Sequence, residues 1–419
     1  MERIAGRIVT TRDELVAAVD TADVAEIVVA GRIGNVPALR LRAGQRLRGD
    51  GAGAAIVFVP GADGLALTSN NALRDLGVHA GPAYRAIFND TSVQDLGRIE
   101  LANVTATGQV QVFARDGVRT GHVEIDGLDI VAADVRDRPD RPRGFGVEVL
   151  QGAFTLWNMQ NDDGASITAD LVGISAGRVG APVLGGGIFV GGAGPDAGGR
   201  VKVRRLETNA IYTDGKIAFG TADRITGGVF TSHGAHAEVV RNRGPVVTYG
   251  SNDIVLDNWG VVDRWIADEK ISSFGPIGIG FVNFGTINHL KMNAPIETFG
   301  DGARGFNVYA GTVGLAEFDR IATHGDGAAG MQFDQPIGRL AVRRGIETFG
   351  GIGPTLVKGV IVQQPAIALS IRPGGAAHEI VIEGGVVTHG AGMLPMEMLG
   401  SVQLLRVTGG FEAAGGGLG

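Results

Sequence analysis

A repeat of 25 residues, running over residues 251–350, constrains the fold of this chain more than any other feature of its sequence. Each of four consecutive blocks closes on a pentamer that starts with Ile and ends with Gly, at residues 271–275, 296–300, 321–325 and 346–350. A related pentamer precedes them at 246–250, and another follows at 386–390, after one block that carries 15 extra residues. A fixed period of this size indicates a repeat architecture, in which every unit packs on its neighbours.

Aligning the blocks places apolar residues in fixed columns, which predicts the side chains that face inward. The sixth column holds Leu256, Phe281, Phe306, Met331 and Ile371; the fifteenth holds Trp265, Leu290, Leu315, Leu340 and Ile380; the twenty-first holds Ile271, Ile296, Ile321, Ile346 and Val386. Apolar residues alternate over short runs between glycines, which is typical of strands joined by turns. The Leu-x-x-Leu-x-Leu signature of leucine-rich repeats is absent. We therefore predict an all-β fold, a right-handed parallel β-helix with coils of about 25 residues.

This architecture accounts for all 419 residues without several domains, because the core of a solenoid grows in one dimension. Thr11 to Glu14 form a capping box, and apolar residues follow at helical spacing, so we predict a short capping helix over 12–22. The predicted organisation is an N-terminal cap at 1–24, one continuous β-helix at 25–412 and a flexible tail at 413–419. Residues 134–143 hold seven charges and two prolines, which predicts a solvated loop leaving the stack.

The order of helix, strand at 25–33 and glycine turn at 49–53 resembles the opening of pectin-lyase-like β-helix proteins, in which the helix covers the open end of the first coil. Asn258 and Asn283, inward at position eight, resemble the asparagine ladder of that superfamily. The resemblance covers pattern over most of the chain and implies activity on carbohydrates. Pectin-degrading hydrolases of this fold carry Asn-x-Asp, Asp-Asp and Gly-His-Gly in order. Here Asp162-Asp163 is preceded by Gly121-His122-Val123, so their catalytic roles do not transfer.

Composition excludes several classes of protein and site. Without cysteine there is no disulfide, thiolate ligand or thiol nucleophile. A net charge of −7 argues against nucleic acid or an anionic membrane as the main partner. We expect no cofactor and no metal. His324 and His389 share a column with Phe274, Phe299 and Phe349, which predicts packing at a turn. Because the N-terminus has no apolar h-region, the chain as given is expected to be cytoplasmic, or secreted if a signal peptide was removed.

Counted from Ser251, positions four, six and eight of each block are predicted to face inward and positions five, seven and nine outward. Position five is kept small by Gly280, Gly305 and Gly330. Positions seven and nine bring amide, carboxylate and aromatic side chains onto one wall, which suits the hydroxyl edges and apolar faces of sugars. We predict an outward groove whose substrate-binding residues are Trp259, Phe284, Asn307, Tyr309, Gln332 and Arg264. The candidate catalytic residues are Asp257, Asp334, Asp268 and Glu269.

These columns favour a glycoside hydrolase or polysaccharide lyase acting on an oligosaccharide or polysaccharide. Glycosidases need two carboxylates about 5 to 10 Å apart, and Asp257 and Asp334, three coils apart, are separated by roughly 14 Å. Asp257 is the best single candidate for an acid or base, because neighbouring carboxylates are expected to raise its pKa. The alternative is a non-catalytic structural or adhesive β-solenoid, with the aromatic columns covering apolar wall or forming a subunit contact, as in a homotrimer. The sequence leaves this choice open.

Overall fold

Each coil lays its strands in parallel register on those of the coil before it, in a computed structural model that describes residues 6–357 and 359–414. The predicted parallel β-helix is confirmed. Over the described residues, the strands form two long sheets and one hairpin. The first sheet comprises Leu39–Arg40, Leu65–Leu67, Arg85–Asn89, Gln109–Ala114, Gly152–Asn158, Gly186–Gly191, Arg224–Thr231, Asp253–Asn258, Ile279–Asn283, Arg304–Val308, Ala329–Phe333, Leu369–Ile371 and Met396–Met398, joined by Arg143–Gly144 and Val147–Val149.

The second sheet wraps the remaining sides of each coil, and in the later coils it contributes two strands per turn. It comprises Arg7–Val9, Glu26–Val29, Arg32–Val36, Arg46–Gly49, Ala55–Phe58, Ala72–His79, Asp95–Thr107, Thr120–Ala132, Ser166–Ala176, Val183–Leu184, Arg200–Asp214, Ala235–Asn242, Val246–Thr248, Val261–Ala267, Ile271–Ser273, Thr286–Met292, Ile296–Thr298, Thr312–Phe318, Ile321–Thr323, Pro336–Val342, Ile346–Thr348, Ala376–Ile382, Val386–Thr388, Ser401–Val407 and Phe411–Ala413. The hairpin consists of Ile352–Val357 and Val360–Pro365.

The one helix among the described residues, Arg12–Asp20, lies at the N-terminal end of the stack, and its capping box is formed as predicted. Thr11 accepts from the backbone N–H of Glu14, whose carboxylate accepts in turn from the backbone of Thr11. Leu15, Ala18 and Val19 are buried against the first coils. The helix thus covers apolar core that an open coil would leave in water. At the other end Ala413 still pairs with Thr388, and the rest of the predicted tail, 415–419, lies outside the described residues.

The isoleucine column of the repeat is confirmed residue by residue. Ile271 pairs with Ile296, Ile296 with Ile321, Ile321 with Ile346, and Ile346 with Val386. All five are at most 1% exposed. The asparagine ladder is also present, because the Asn258 amide donates to the Asn283 carbonyl oxygen at 2.8 Å. The rings of Tyr249, Phe274, Phe299, His324, Phe349 and His389 form one continuous stack at a corner, with centroids 4.4 to 5.5 Å apart.

The prediction that Leu315 faces inward was wrong. Leu290 pairs with Ala316, which is fully buried, while Leu315 lies half-buried on the outer face. The turn after Val308 holds one residue more than the equivalent turn in the preceding coil, so the next strand starts at Thr312 and pairs with Thr286. An extra residue in a turn moves every following side chain to the opposite face of its strand.

The inward and outward assignment of positions four and five was also wrong. Val255, at position five, is buried in the main core, and Ile254 and Ile279, at position four, belong to a separate outer cluster. A Cβ atom on Gly280, Gly305 or Gly330 would lie 2.3 to 2.6 Å from the Cγ2 atom of a core isoleucine. The glycine column is therefore small because the isoleucine column occupies the space inside the coil, and it does not border an outer groove.

The hairpin accounts for most of the 15 residues inserted into the repeat. Met331 pairs with Leu369, a separation of 38 instead of 25, so 13 extra residues lie in and around the hairpin. Pro336 pairs with Ala376, a separation of 40, which places the other two in the turn after Ile371. For this reason Leu369, and not Ile371, occupies the sixth column. The hairpin packs on a corner of the β-helix formed by earlier coils, where the Thr355 hydroxyl donates to the Gly302 carbonyl oxygen at 3.0 Å.

Candidate functional site

The predicted groove residues at positions seven and nine lie together on the outer face of the first sheet. Asp257 pairs with Val282, Val282 with Asn307, and Asn307 with Gln332, so position seven forms one column across four coils. Beside it run Trp259, Phe284 and Tyr309, whose neighbouring ring centroids are 5.9 and 5.4 Å apart. We call these two columns, from Asp257 to Asp334, the outer strip.

Much of the outer strip is closed to solvent, which corrects the prediction of an open groove. Asp257, Trp259 and Asn307 are 1%, 3% and 0% exposed, and Gln332 is also buried. Phe284, Tyr309 and Asp334 are half-buried. A substrate can therefore reach the strip at its Tyr309 end, but it cannot reach Asp257 without displacing protein.

At Trp259 and Phe284 the strip is covered by residues 133–149, which we call the covering loop. As predicted, this segment leaves the stack, but it folds back onto the first sheet, where Val149 pairs with Ile225. The ring of Phe145 stacks on Phe284 at 4.4 Å and meets Trp259 edge-on at 5.1 Å. This return could not be predicted, because charged residues and prolines indicate a surface loop without indicating where it packs.

The covering loop encloses an aromatic row that the sequence reasoning missed. Phe113, Trp157, Phe189, Phe230 and Trp259 follow one another along the outer face with centroids 4.9 to 5.8 Å apart. Val149 and these rings form a second hydrophobic cluster outside the coil. Their coils depart from the 25-residue period, so the column alignment did not extend to them. The available signal was one aromatic residue in the second half of each of the strands 109–114, 152–158, 186–191 and 224–231.

Burial dominates the electrostatics of Asp257. It raises the pKa of the Asp257 carboxyl well above its usual range, while the Trp259 indole and the Asn258 backbone N–H act in the opposite direction. The crowding by other carboxylates that the sequence suggested is not the cause. A protonated carboxyl without access to solvent is not a working acid or base for a polysaccharide, so the catalytic role predicted for Asp257 is not supported by its surroundings.

The remaining catalytic candidates do not join Asp257. Asp268 and Glu269 lie in the turn after Val261–Ala267, on the second sheet, and Arg264 is exposed on that strand. Burial tends to raise the pKa of Asp268, but hydrogen bonds from Arg241 at 2.6 Å and Asn293 at 3.0 Å hold it below its usual range. Two carboxylates that flank one glycosidic bond must share a cleft. The four catalytic candidates are divided between two faces of the β-helix and do not form such a pair. Asp257 lies in a strand of the first sheet and Asp334 directly after one, whereas Asp268 and Glu269 lie beside the second sheet.

A buried carboxyl outside the predicted set, Asp253, has the pKa with the clearest consequence. Its Oδ2 atom accepts from the backbone N–H groups of Gly215 at 3.0 Å and Gly250 at 2.8 Å, and the residue is fully buried. Burial raises its pKa to about 7, and the charge of Asp214 acts in the same direction. The group is therefore protonated in the folded protein at pH values where the unfolded chain has released the proton.

We expect the free energy of unfolding of Asp253→Asn to exceed that of wild type by an amount that grows as the pH rises from about 4 to about 7. The stability that Asp253 contributes is fully present below its unfolded pKa and is lost as the pH rises through its folded pKa. The difference should reach about 4 kcal/mol at neutral pH, because each unit of pKa difference corresponds to about 1.4 kcal/mol. Thermal melts at a series of pH values give the measurement, with the exposed Asp23→Asn as control. A pH-independent difference would contradict this assignment.

The accessible end of the outer strip is a ledge formed by Tyr309, Asp334 and Arg372, beside the buried amide of Gln332. Phe145, Phe284 and Tyr309 form a row of rings that ends at Tyr309, whose centroid lies 5.4 Å from that of Phe284. Arg372 follows the strand of the next coil and donates to Glu397 at 2.9 Å. Glu397 also accepts from Ser370 at 2.8 Å. An aromatic ring bordered by amide, carboxylate and guanidinium groups is suited to binding a sugar.

Comparison with protein-family models, curated proteins and solved structures gave no match. Over the described residues, no group of three or more His, Asp or Glu side chains is arranged to hold a metal ion. Within the same part of the chain, no helix is long and apolar enough to cross a membrane.

Proposed function

We propose that this protein recognises a carbohydrate, and that an oligosaccharide or a polysaccharide end binds at the Tyr309 ledge. The observation that carries the proposal is the row of rings that emerges from beneath the covering loop and ends beside polar groups. Tyr309 would pack on the apolar face of a sugar ring, while Asp334 and Arg372 would bond its hydroxyls. We also propose membership of the pectin-lyase-like superfamily, on the grounds of the parallel β-helix and its N-terminal helix.

Cleavage as a glycoside hydrolase or lyase is the more specific form of this proposal. It would use carboxylates of the ledge, Asp334 and Glu397, in place of Asp257, Asp268 and Glu269. These two residues lie on coils two steps apart, which corresponds to roughly 10 Å along the helix axis. That axial separation is slightly above the upper limit of about 9.5 Å for a pair that inverts the anomeric centre with an intervening water, so the two side chains would have to lean toward each other. Release of reducing ends from the glycan that binds, and its loss in Asp334→Asn, would support cleavage.

A structural or adhesive β-solenoid is the second candidate, and one specific observation favours it. The aromatic row from Phe113 to Trp259 is buried by the protein's own covering loop, so most of these rings already have a packing role. A structural protein would use the outer strip for rigidity and would bind no glycan at the ledge.

Titration of a glycan panel against wild type and Tyr309→Ala separates these functions. We expect at least one glycan to bind, and its affinity to fall about tenfold in the variant, since one aromatic contact contributes about 0.5 to 1.5 kcal/mol beyond area burial. The matched control is Phe274→Ala, which removes a 46% exposed ring from the stack at another corner. Equal affinity in wild type and Tyr309→Ala would exclude the ledge, and absence of binding by every glycan would favour the structural function.

A further inference from the structure

A second groove lies on the opposite side of the coil, where the long strands of the second sheet bend. It is an open groove with a volume of about 460 Å³, and two other grooves on the described residues have volumes of about 320 and 290 Å³. It crosses the four successive strands Asp95–Thr107, Thr120–Ala132, Ser166–Ala176 and Arg200–Asp214, a span of roughly 14 Å at the spacing of strands in a sheet. We call this surface the corner groove. The polar and aromatic side chains lining it are Asn103, Thr105, Asp129, Ser175, Arg178, Asn209 and Tyr212.

The bend that forms the corner groove comes from a column of residues in the left-handed conformation. Asp75, Asn103, Gly127 and Gly173 lie level with one another in the strand pairing and have φ angles of 53°, 51°, 84° and 74°. Asn, Asp and Gly adopt this conformation more readily than other residues. The two glycines leave the floor of the groove without side chains. Backbone is therefore exposed there, between polar groups on either side.

One side of the corner groove is fixed by an ion pair that two separate segments contribute. Arg178 donates to both oxygens of Asp129, at 2.9 and 2.6 Å, and also to the carbonyl oxygen of Gly177 at 2.8 Å. A bidentate pair holds both side chains in one geometry, which prepares them to bind a ligand without a further loss of side-chain freedom. Because the two charges cancel, the pair favours a polar ligand without net charge.

The rest of the lining offers groups that are free to accept or donate. Among the described residues, the Ser175 hydroxyl and the Asn209 amide form no side-chain hydrogen bond, and Asn209 is exposed. Thr105, Asp129 and Ser175 are consecutive members of one column, so their oxygens recur at the spacing of the strands. Tyr212, half-buried on the fourth coil, supplies the one aromatic ring of the groove.

We propose that the corner groove is a binding site for a short neutral oligosaccharide. The ring of Tyr212 packs on one sugar face at one end of the groove. The Asp129–Arg178 pair and the Asn209 amide bond the hydroxyls, which both donate and accept as these groups require. The site is separate from the Tyr309 ledge and does not depend on binding there.

Hydrogen exchange with a panel of neutral trisaccharides, including cellotriose, maltotriose and xylotriose, tests the location. At millimolar concentration we expect at least one of them to slow exchange at the backbone amides of residues 103–105, 127–129 and 173–177. Protection confined to the ledge, around residues 309 and 332–334, or no protection by any trisaccharide, would overturn the proposal.

Calorimetric titration of variants tests the assigned side chains. Asn209→Ala and Tyr212→Ala should each weaken binding at least fivefold, and Arg178→Gln should do the same by releasing Asp129. Asn209 is exposed, so its substitution leaves the fold intact even if Tyr212→Ala does not. Tyr309→Ala is the matched control, because it weakens binding at the ledge and should leave the corner groove unchanged. Undiminished affinity in Asn209→Ala and Arg178→Gln would contradict the proposal, whatever the behaviour at the ledge.

Discussion

Ala316→Asp is expected to lower the free energy of unfolding by at least about 4 kcal/mol, because it places a carboxylate and added volume in a closed core. Ala316 is fully buried between Leu290 and Leu340 of the adjacent coils. The described members of this column on the two coils to either side are Trp265, Leu290, Leu340 and Ile380, and none of them can pair with the new charge. Urea denaturation followed by circular dichroism gives the measurement.

Leu315→Asp, one residue earlier, is the matched control and should cost less than about 1 kcal/mol. Leu315 is half-buried on the outer face, where its strand partners are His289 and Arg339. A carboxylate there remains hydrated and gains two basic neighbours. The pair therefore tests the one-residue shift of this coil directly. Equal losses in the two variants, or a larger loss in Leu315→Asp, would show that the shift is wrong.

Gly305→Ala is expected to destabilise the protein by about 3 kcal/mol, the largest effect we predict for adding a single methyl group. Its Cβ atom would lie 2.3 Å from Cγ2 of Ile321 and 2.5 Å from the carbonyl oxygen of Gly330. The second contact is with backbone, so rotation of a side chain cannot relieve it. Movement of the coil would also disturb the coils above and below, because they share the same column.

Gly51→Ala provides the comparison for this substitution. A Cβ atom at Gly51 would meet nothing within 4 Å, so the change should lie within about 0.5 kcal/mol of wild type. Thermal melts of both variants, recorded under one condition, decide the point. A Gly305→Ala protein as stable as Gly51→Ala would mean that position five faces outward, as the sequence alone had suggested.

The parts of the fold that could be predicted from sequence are those where the same type of residue recurs at the same position in several blocks. The isoleucine column was assigned correctly because Ile271 and its equivalents keep one phase through four blocks. Leu315 was misplaced because the one extra residue in the turn before its strand is offset by one residue fewer in the turn after it. The 25-residue period is therefore kept, but the side chains of the strand between these turns face the opposite way to the prediction.

The candidate site was harder to predict, because the burial of a side chain on the outside of a coil depends on segments that are distant in the sequence. Asp257 and Trp259 do lie on the outer face, but both are buried, and Trp259 is covered by the loop that lies more than 100 residues earlier. Nothing in the periodicity of residues 251–350 reports on that contact. The corner groove was missed for a related reason. Asn103, Gly127 and Gly173 are ordinary turn residues in sequence, and only the strand register reveals that they line one bend.

The hairpin at Ile352–Val357 and Val360–Pro365 has a consequence for how such a molecule can diversify. Met331 and Ile346, which precede the hairpin, pair with Leu369 and Val386, which follow it. The strands of the two coils therefore pair as they would without the hairpin. Residues can thus be inserted or deleted at a corner of the β-helix while the pairing of its strands is preserved. Surface features of the protein can vary there independently of the scaffold, and foreign segments could be displayed at the same point.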